Sequence, residues 1–314
     1  MLSKTRISAA VALASLYVTT ASADQPAVTF ESETGRLQVS VGNDRFATYV
    51  YADTEIWRPY FTNVHAPGGV RATRHHPPRM GIDSTDHATM HPGIWLAFGD
   101  LGGHDFWRNK ARVEHVEFVE QPKGGPGRGA FSVRNRYVAD RKTICTEVCK
   151  HEFVAGDGSC LVTYDSHFSS DSEFYFGDQE ELGLGFRVRS ELRVKGGRGR
   201  IQNSGGGVNE EQVWGRQADW CDYGGVVDGQ RVGLLLMPSP RNFLRSWFHA
   251  RDYGFTAANP FGRNAFTRGA KSRVVVKAGE TFRLGYGVLV YAHPANDKLD
   301  LEQAYRDYVE LDAE

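Results

Sequence analysis

Short runs of alternating apolar and polar residues fill most of the chain. Val28-Thr29-Phe30-Glu31 and Leu37-Gln38-Val39-Ser40-Val41 alternate on either side of Glu33-Thr34-Gly35. Val113 to Val119 and Phe131 to Val138 flank a Gly/Pro-rich stretch, Lys123-Gly124-Gly125-Pro126-Gly127, which reads as a loop. Val148 to Val154 and Cys160 to Phe168 flank Gly156-Asp157-Gly158, a hairpin signal. Further strands are expected over Phe186 to Val194, Val232 to Met237, Ser272 to Lys277 and Phe282 to Tyr291. A period of two, with turns at regular spacing, predicts an all-β protein, a large antiparallel β-sandwich. One segment changes period. Leu301, Ala304, Tyr305, Tyr308 and Leu311 fall on one face of a helix over about Leu299 to Leu311, while Asp300, Glu302 and Arg306 fall outside it. A C-terminal α-helix after a β body reads as packing material. No linker or repeat divides residues 24–314, which are expected to form a single domain.

The N-terminus follows another pattern. Lys4 and Arg6 precede an apolar, Ala-rich run from Ile7 to Val18, and Ala21-Ser22-Ala23 offers a small-x-small cleavage site. Residues 1–23 therefore read as a secretory signal peptide, with a secreted or periplasmic destination. The run is short for a bilayer span, and no second long apolar stretch follows, so no stable membrane insertion is expected once the leader is gone. Removal of Lys4 and Arg6 takes the formal charge from −1 to −3. With 37 Lys+Arg against 38 Asp+Glu there is no basic excess to hold phosphate backbones, which argues against nucleic acid as a partner. The four cysteines, Cys145, Cys149, Cys160 and Cys221, allow three full disulfide pairings. Cys145 and Cys149, four apart on a strand, lie roughly 13 Å apart and cannot bridge.

Histidine is unevenly placed. Seven of eleven fall between positions 65 and 115: His65, His75, His76, His87, His91, His104 and His115. The densest chemistry lies in Asp83-Ser84-Thr85-Asp86-His87-Ala88-Thr89-Met90-His91-Pro92-Gly93-Ile94-Trp95 and in Gly99 to Arg108. Imidazole moves protons near neutral pH, so His87 and His91 are candidate acid/base groups, with Asp86 or Asp105 fixing a tautomer. A metal is the alternative: His87 and His91 are four apart and His65 would supply a third nitrogen, although Pro92-Gly93 argues against a helix there and no HExxH is present. No cofactor is required by the sequence, and a divalent metal is the one group it would accommodate. Each histidine also has a plainer reading, as a loop residue bonded to backbone.

Two other segments interleave rings with ionisable groups. Trp247 to Gly254 runs on to Ala258-Asn259-Pro260-Phe261-Gly262, and Trp214 to Gly225 mixes Trp, Arg and Asp. Aromatic faces beside Arg, Asp and Asn suit the apolar face and the hydroxyls of a sugar. His249 and Glu180, the latter from Gln179-Glu180-Glu181-Leu182-Gly183, are candidate partners for His87 and His91. Arg74, Asp105, Trp107, Trp220, Arg251, Asp252 and Asn259 form the candidate substrate-binding set. No nucleophile elbow, P-loop or dinucleotide fingerprint is present.

Taken in order, these segments resemble a bacterial domain family labelled "methane oxygenase PmoA": Arg58-Pro59-Tyr60-Phe61, Asp86-His87 to Trp95, Gly99-Asp100 to Trp107, Gly183 to Arg187, Asn203-Ser204-Gly205, Trp214-Gly215, Trp220 to Tyr223, His249 to Gly254 and Asn259 to Gly262. The resemblance covers nearly the whole mature chain. The label does not fit, because a membrane copper monooxygenase subunit needs several membrane-spanning helices. The resemblance implies a galactose mutarotase-like supersandwich in polysaccharide-degrading bacteria. Many members read Asp-His-Pro-His-His at the first motif. This chain keeps Asp86-His87 but lacks the adjacent His pair. The resulting expectation is a carbohydrate-active lyase or hydrolase acting on an oligosaccharide or oxidised sugar through histidine. The alternatives are a non-catalytic carbohydrate-binding protein and a metal-dependent sugar enzyme.

Overall fold

The computed structural model describes residues 25–314. The segment read as a signal peptide lies outside them. Seventeen antiparallel strands build two layers. One layer runs, in spatial order, Ala27–Glu33, Arg36–Val41, Asp44–Val50, Tyr60–Thr62, Ile94–Phe98, Leu182–Arg187, Phe255–Asn259, Trp247–Arg251 and Arg216–Gln217. The other runs Arg112–Pro126, Arg128–Ala139, Lys142–Gly156, Ser159–Ser169, Thr281–Pro294, Gln230–Pro238, Cys221–Val227 and Gly199–Asn203. The layers are stitched where Ala27 and Val28 pair with Pro126 and Gly125.

Alternation sorts the side chains. Phe46, Phe61, Ile94, Leu96 and Phe186 from the first layer meet Phe131, Phe153, Val162, Tyr286 and Val288 from the second in one buried core. Part of each opposite face is covered as well, whereas the outer face of Arg112–Pro126 and Arg128–Ala139 is open and carries the exposed pairs Arg136–Glu114 and Arg134–Glu117. Under the helix Leu301–Ala313, Leu161, Trp220, Leu235, Met237 and Tyr308 form a cluster on the second layer. Asp300 caps that helix, accepting from the Gln303 N–H at 2.9 Å. On the outer face of the first layer, Trp95, Ala97, Phe255 and Ala257 pack with Trp107, Tyr60 and Ile56. Irregular connections, 72–93 and 99–111, lie over this face.

Two strand expectations shift. The Gly/Pro-rich stretch 123–127 is not a loop: the strand continues to Pro126 through three register irregularities. The strand expected over Phe186 to Val194 ends at Arg187, and Ser190–Leu192 forms a 3-10 turn that reuses the same apolar spacing. Among the described residues all four cysteines are free and buried, and no helix is long and apolar enough to cross a membrane.

Candidate functional site

The outer face of the first layer supplies a floor. In register across four strands, Trp95, Gly185, Ala257 and His249 form one row, and Arg187, Phe255 and Arg251 form the next. Glycine is required beside this row: Gly183 has φ +102°, and a Cβ there would sit 2.0 Å from the Ala258 carbonyl oxygen. The small floor lets long side chains from the flanking strands lean across it.

The loop above is anchored by arginine. Arg74 is 2% exposed, and its guanidinium donates to the carbonyls of Ser84 (2.8 Å), Asp86 (2.7 Å), His91 (3.2 Å) and His87 (3.4 Å). Arg187 grips the Asp86 carboxylate with both terminal nitrogens, at 3.0 and 2.9 Å. The same guanidinium lies 4.5 Å over the Tyr253 ring and 3.3 Å from His91 Nδ1, which leaves the His91 proton on Nε2. Burial alone would raise the Asp86 carboxyl, but hydrogen bonds from Arg187, Ser84 and His87 outweigh it and hold the group well below the usual carboxylate range.

His87 follows directly. Its Nδ1 is 2.7 Å from Asp86 Oδ2, its ring is exposed, and its backbone sits at φ +51°, a region that non-glycine residues rarely occupy. An ionised Asp86 fixes the Nδ1–H tautomer and leaves Nε2 as the acceptor. The rings behind it are nearly parallel. His87 stacks on His91 at 4.8 Å, His91 on Phe255 at 4.6 Å and on Trp95 at 5.0 Å, and Tyr253 lies 6.0 Å from His87 at 13°. His91 is closed in by these neighbours. Burial first, and then the charges of Arg187 and His87, push its pKa well below the usual imidazole value, so it is neutral.

The far end of the ring row carries a second charged group. Phe255 touches His249 edge-on at 5.0 Å. Arg251 donates through Nε to His249 Nε2 (3.0 Å), through Nη2 to Glu180 (3.2 Å) and through Nη1 to Glu210 (2.8 Å), and it lies 5.5 Å over Trp214. Burial and the Arg251 charge push His249 down to about 3. Burial raises the Glu180 carboxyl, and Arg251 only partly offsets this. Glu210 and Asp252 bond reciprocally: each carboxylate accepts the other's backbone N–H at 2.9 Å.

The remaining candidates sit behind these groups. Asn259 is fully buried and donates to the carbonyls of Gln179 (2.7 Å) and Glu180 (3.2 Å), so it positions Glu180 rather than facing solvent. Asp105 accepts the backbone N–H groups of Trp107 and Arg108 and pairs with the Arg108 side chain, which also reaches Glu181 at 2.5 Å. Trp107 is 1% exposed, behind His91, and Trp220 lies in the other layer under the C-terminal helix, with its indole N–H on Glu302. Neither indole presents a face to a ligand, because each fills a core. His65 keeps to its own turn, 2.6 Å from the Asn63 carbonyl. The three-histidine ligand set is not assembled, and among the described residues no group of three or more His, Cys, Asp or Glu side chains is poised to hold a metal ion. Arg187, Tyr253, Glu210 and Trp214 are site residues outside the candidate set, although Tyr253 and Trp214 fall in the two aromatic segments that the sequence singles out. The alternation Gly183, Gly185, Arg187 was the available signal for the first. A cleft of about 420 Å³ between the C-terminal helix and the second layer is mostly apolar and carries none of this chemistry.

No curated protein matches the chain. Weak structural likeness extends to a galactose mutarotase-like protein from Clostridium acetobutylicum (10% identity, TM-score 0.44, covering 86% of this chain and 99% of that one). It also extends to the α-galactosidase from Lactobacillus brevis (9%, 0.42, 85% and 39%) and to a GH36 α-galactosidase from Geobacillus stearothermophilus (10%, 0.42, 85% and 41%). The chain thus spans about two fifths of each galactosidase. Residues 36–306 match the model of a family of unknown function. That span takes in the arginine-anchored loop, the ring row and every strand of both layers except Ala27–Glu33, and the chain belongs to this family, DUF6807.

Proposed function

We propose that this protein binds carbohydrate on the ledge formed by His87 and Tyr253 and the charged groups beside it. One observation carries the reading: two near-parallel rings at the surface are bordered by Asp86, Glu180, Arg251 and Glu210, whose side chains are each about one third exposed. A pyranose has an apolar face for rings and hydroxyls for carboxylates and guanidinium groups, and this combination meets both. Calorimetry against a panel of plant and algal oligosaccharides tests it. Binding by the wild type, weakened about fivefold or more in Tyr253→Ala, is the expected result, corresponding to roughly 1 kcal/mol for one stacked ring. Absence of binding across the panel, or an unchanged affinity in Tyr253→Ala, overturns it.

A second reading, proton transfer on the bound sugar, is favoured by the Asp86–His87 pair and by the left-handed backbone at His87. Strained backbone at a non-glycine residue persists where its surroundings enforce it, and such positions concentrate at reacting centres. Here His87 Nε2 takes the proton, and Glu180, with its raised pKa, is the counterpart acid. Proton exchange into bound sugar followed by NMR in D2O checks this: exchange in the wild type and none in His87→Ala supports it, and equal rates in both end it. We also propose that residues 1–23 direct the chain out of the cytoplasm and that the ordered motifs reflect kinship with the PmoA-labelled family.

A further inference from the structure

A second cleft, of about 270 Å³, opens on the other side of Arg58 from the ring row. Tyr51, Asp53, Trp57, Arg112 and His115 line it. Its aromatic walls are half-buried: Tyr51 packs on His115 at 4.5 Å, and Trp57 carries the Arg112 guanidinium at 4.2 Å from its ring centre. The carboxylates around it are already engaged. Asp53 accepts from the backbone N–H groups of Glu55 (2.7 Å) and Ile56 (3.1 Å) and from the Tyr60 hydroxyl (2.6 Å), and Glu114 is held by Arg136 at 2.7 Å. The Arg112 guanidinium is not. Arg58, 2% exposed, spends its terminal nitrogens on the Trp107 and Met90 carbonyls and on Asn109, and its Nε has no partner. Among the described residues neither Arg58 nor Arg112 is ion-paired with a carboxylate. The lining thus sets Arg58 and Arg112 against Asp53 and Glu114, and both carboxylates are taken up by other partners, Glu114 by Arg136 from outside the cleft.

We infer that this cleft is a separate subsite for an acidic sugar, taking one uronate residue with its ring against Trp57 and Tyr51 and its carboxylate on Arg112. The volume, about 270 Å³, falls just below the usual range of small-molecule sites, which suits one ring rather than an oligomer. A carboxylate gains a charge-assisted, two-pronged bond to a guanidinium that has no competing anion. The cation over the Trp57 ring holds that fork in place.

Oligomers of galacturonate and glucuronate, each beside its methyl ester, are titrated into the full chain with calorimetry and tryptophan fluorescence as readouts. The acids are expected to bind at least about tenfold tighter than the esters, in line with one charge-assisted bond. Arg112→Gln is expected to cancel that preference, Trp57→Phe to remove its fluorescence signal, and Tyr253→Ala to leave it in place. Equal binding of acid and ester, or an acid preference that survives Arg112→Gln, overturns the inference. An acid preference lost in Tyr253→Ala but kept in Arg112→Gln places the acid on the ledge, in which case the ledge reading stands and this one falls. Arg112→Lys, which keeps the charge without the fork, serves if the Gln variant does not fold, and a retained tenfold preference there counts against the two-pronged contact.

Discussion

Asp86 answers to three partners at once: the Arg187 fork, the His87 ring and the Ser84 hydroxyl. Removing its charge leaves Arg187, 1% exposed at the side chain, without its counter-ion. Asp86→Asn is therefore expected to cost about 2 kcal/mol in urea unfolding, less than a fully buried pair because the carboxylate itself is partly solvated. The pH dependence has a definite sign. A carboxyl held below its unfolded value stabilises the fold above about pH 4 and loses that contribution as the pH falls toward its folded pKa. The buried histidines act over a higher window. His249 and His151, both pushed down to about 3 by burial, stay neutral in the fold but protonate in the unfolded chain below about 6.5. Stability should fall from pH 6.5 toward 3, and His249→Gln should flatten that slope in melts taken across the range. A slope unchanged in that variant would mean that His249 is not a source of it.

At the scale of single strands, the floor of the site depends on Gly183. Alanine there would bring a Cβ to 2.0 Å from the Ala258 carbonyl at a left-handed φ, so Gly183→Ala should lower the melting temperature by more than 10 °C or yield no folded protein. The strands themselves were legible, because alternation is a local property and most runs hold it. The exceptions share a cause. Gly124 and Gly125 look like a loop by composition, yet they keep pairing because neighbouring strands supply partners. Val188 and Leu192 keep a period of two through a turn. The site was legible only in part. The clustered Asp86, His87 and His91 announced themselves by residue type, but Arg187 contacts Asp86 from 101 residues away, and no local pattern carries that pairing. Trp107 and Trp220 look like substrate-binding rings in the sequence but are buried, since an indole in a polar stretch does not reveal which way it packs.

Over the whole molecule, the outer faces are covered in part and by different means: loops bearing ionisable groups on one layer, and a single amphipathic helix over the strands around Leu161, Leu235 and Met237 on the other. Tyr308 is the main anchor of that helix, 1% exposed. Tyr308→Ala should cost about 3–4 kcal/mol by the usual cost of deleting a buried ring, measured by chemical unfolding, with ligand affinity at the ledge unchanged. The order of strands in the second layer has a consequence in time. Thr281–Pro294 is not an edge: it lies between Ser159–Ser169 and Gln230–Pro238, pairing with both along most of its length. A nascent chain that has emerged only to residue 270 therefore holds two half-layers with unpaired edges and nothing to join them. Closure waits for a segment more than 110 residues downstream of its first partner, so folding should be slow, and chaperones that shield strand edges have a long interval in which to act.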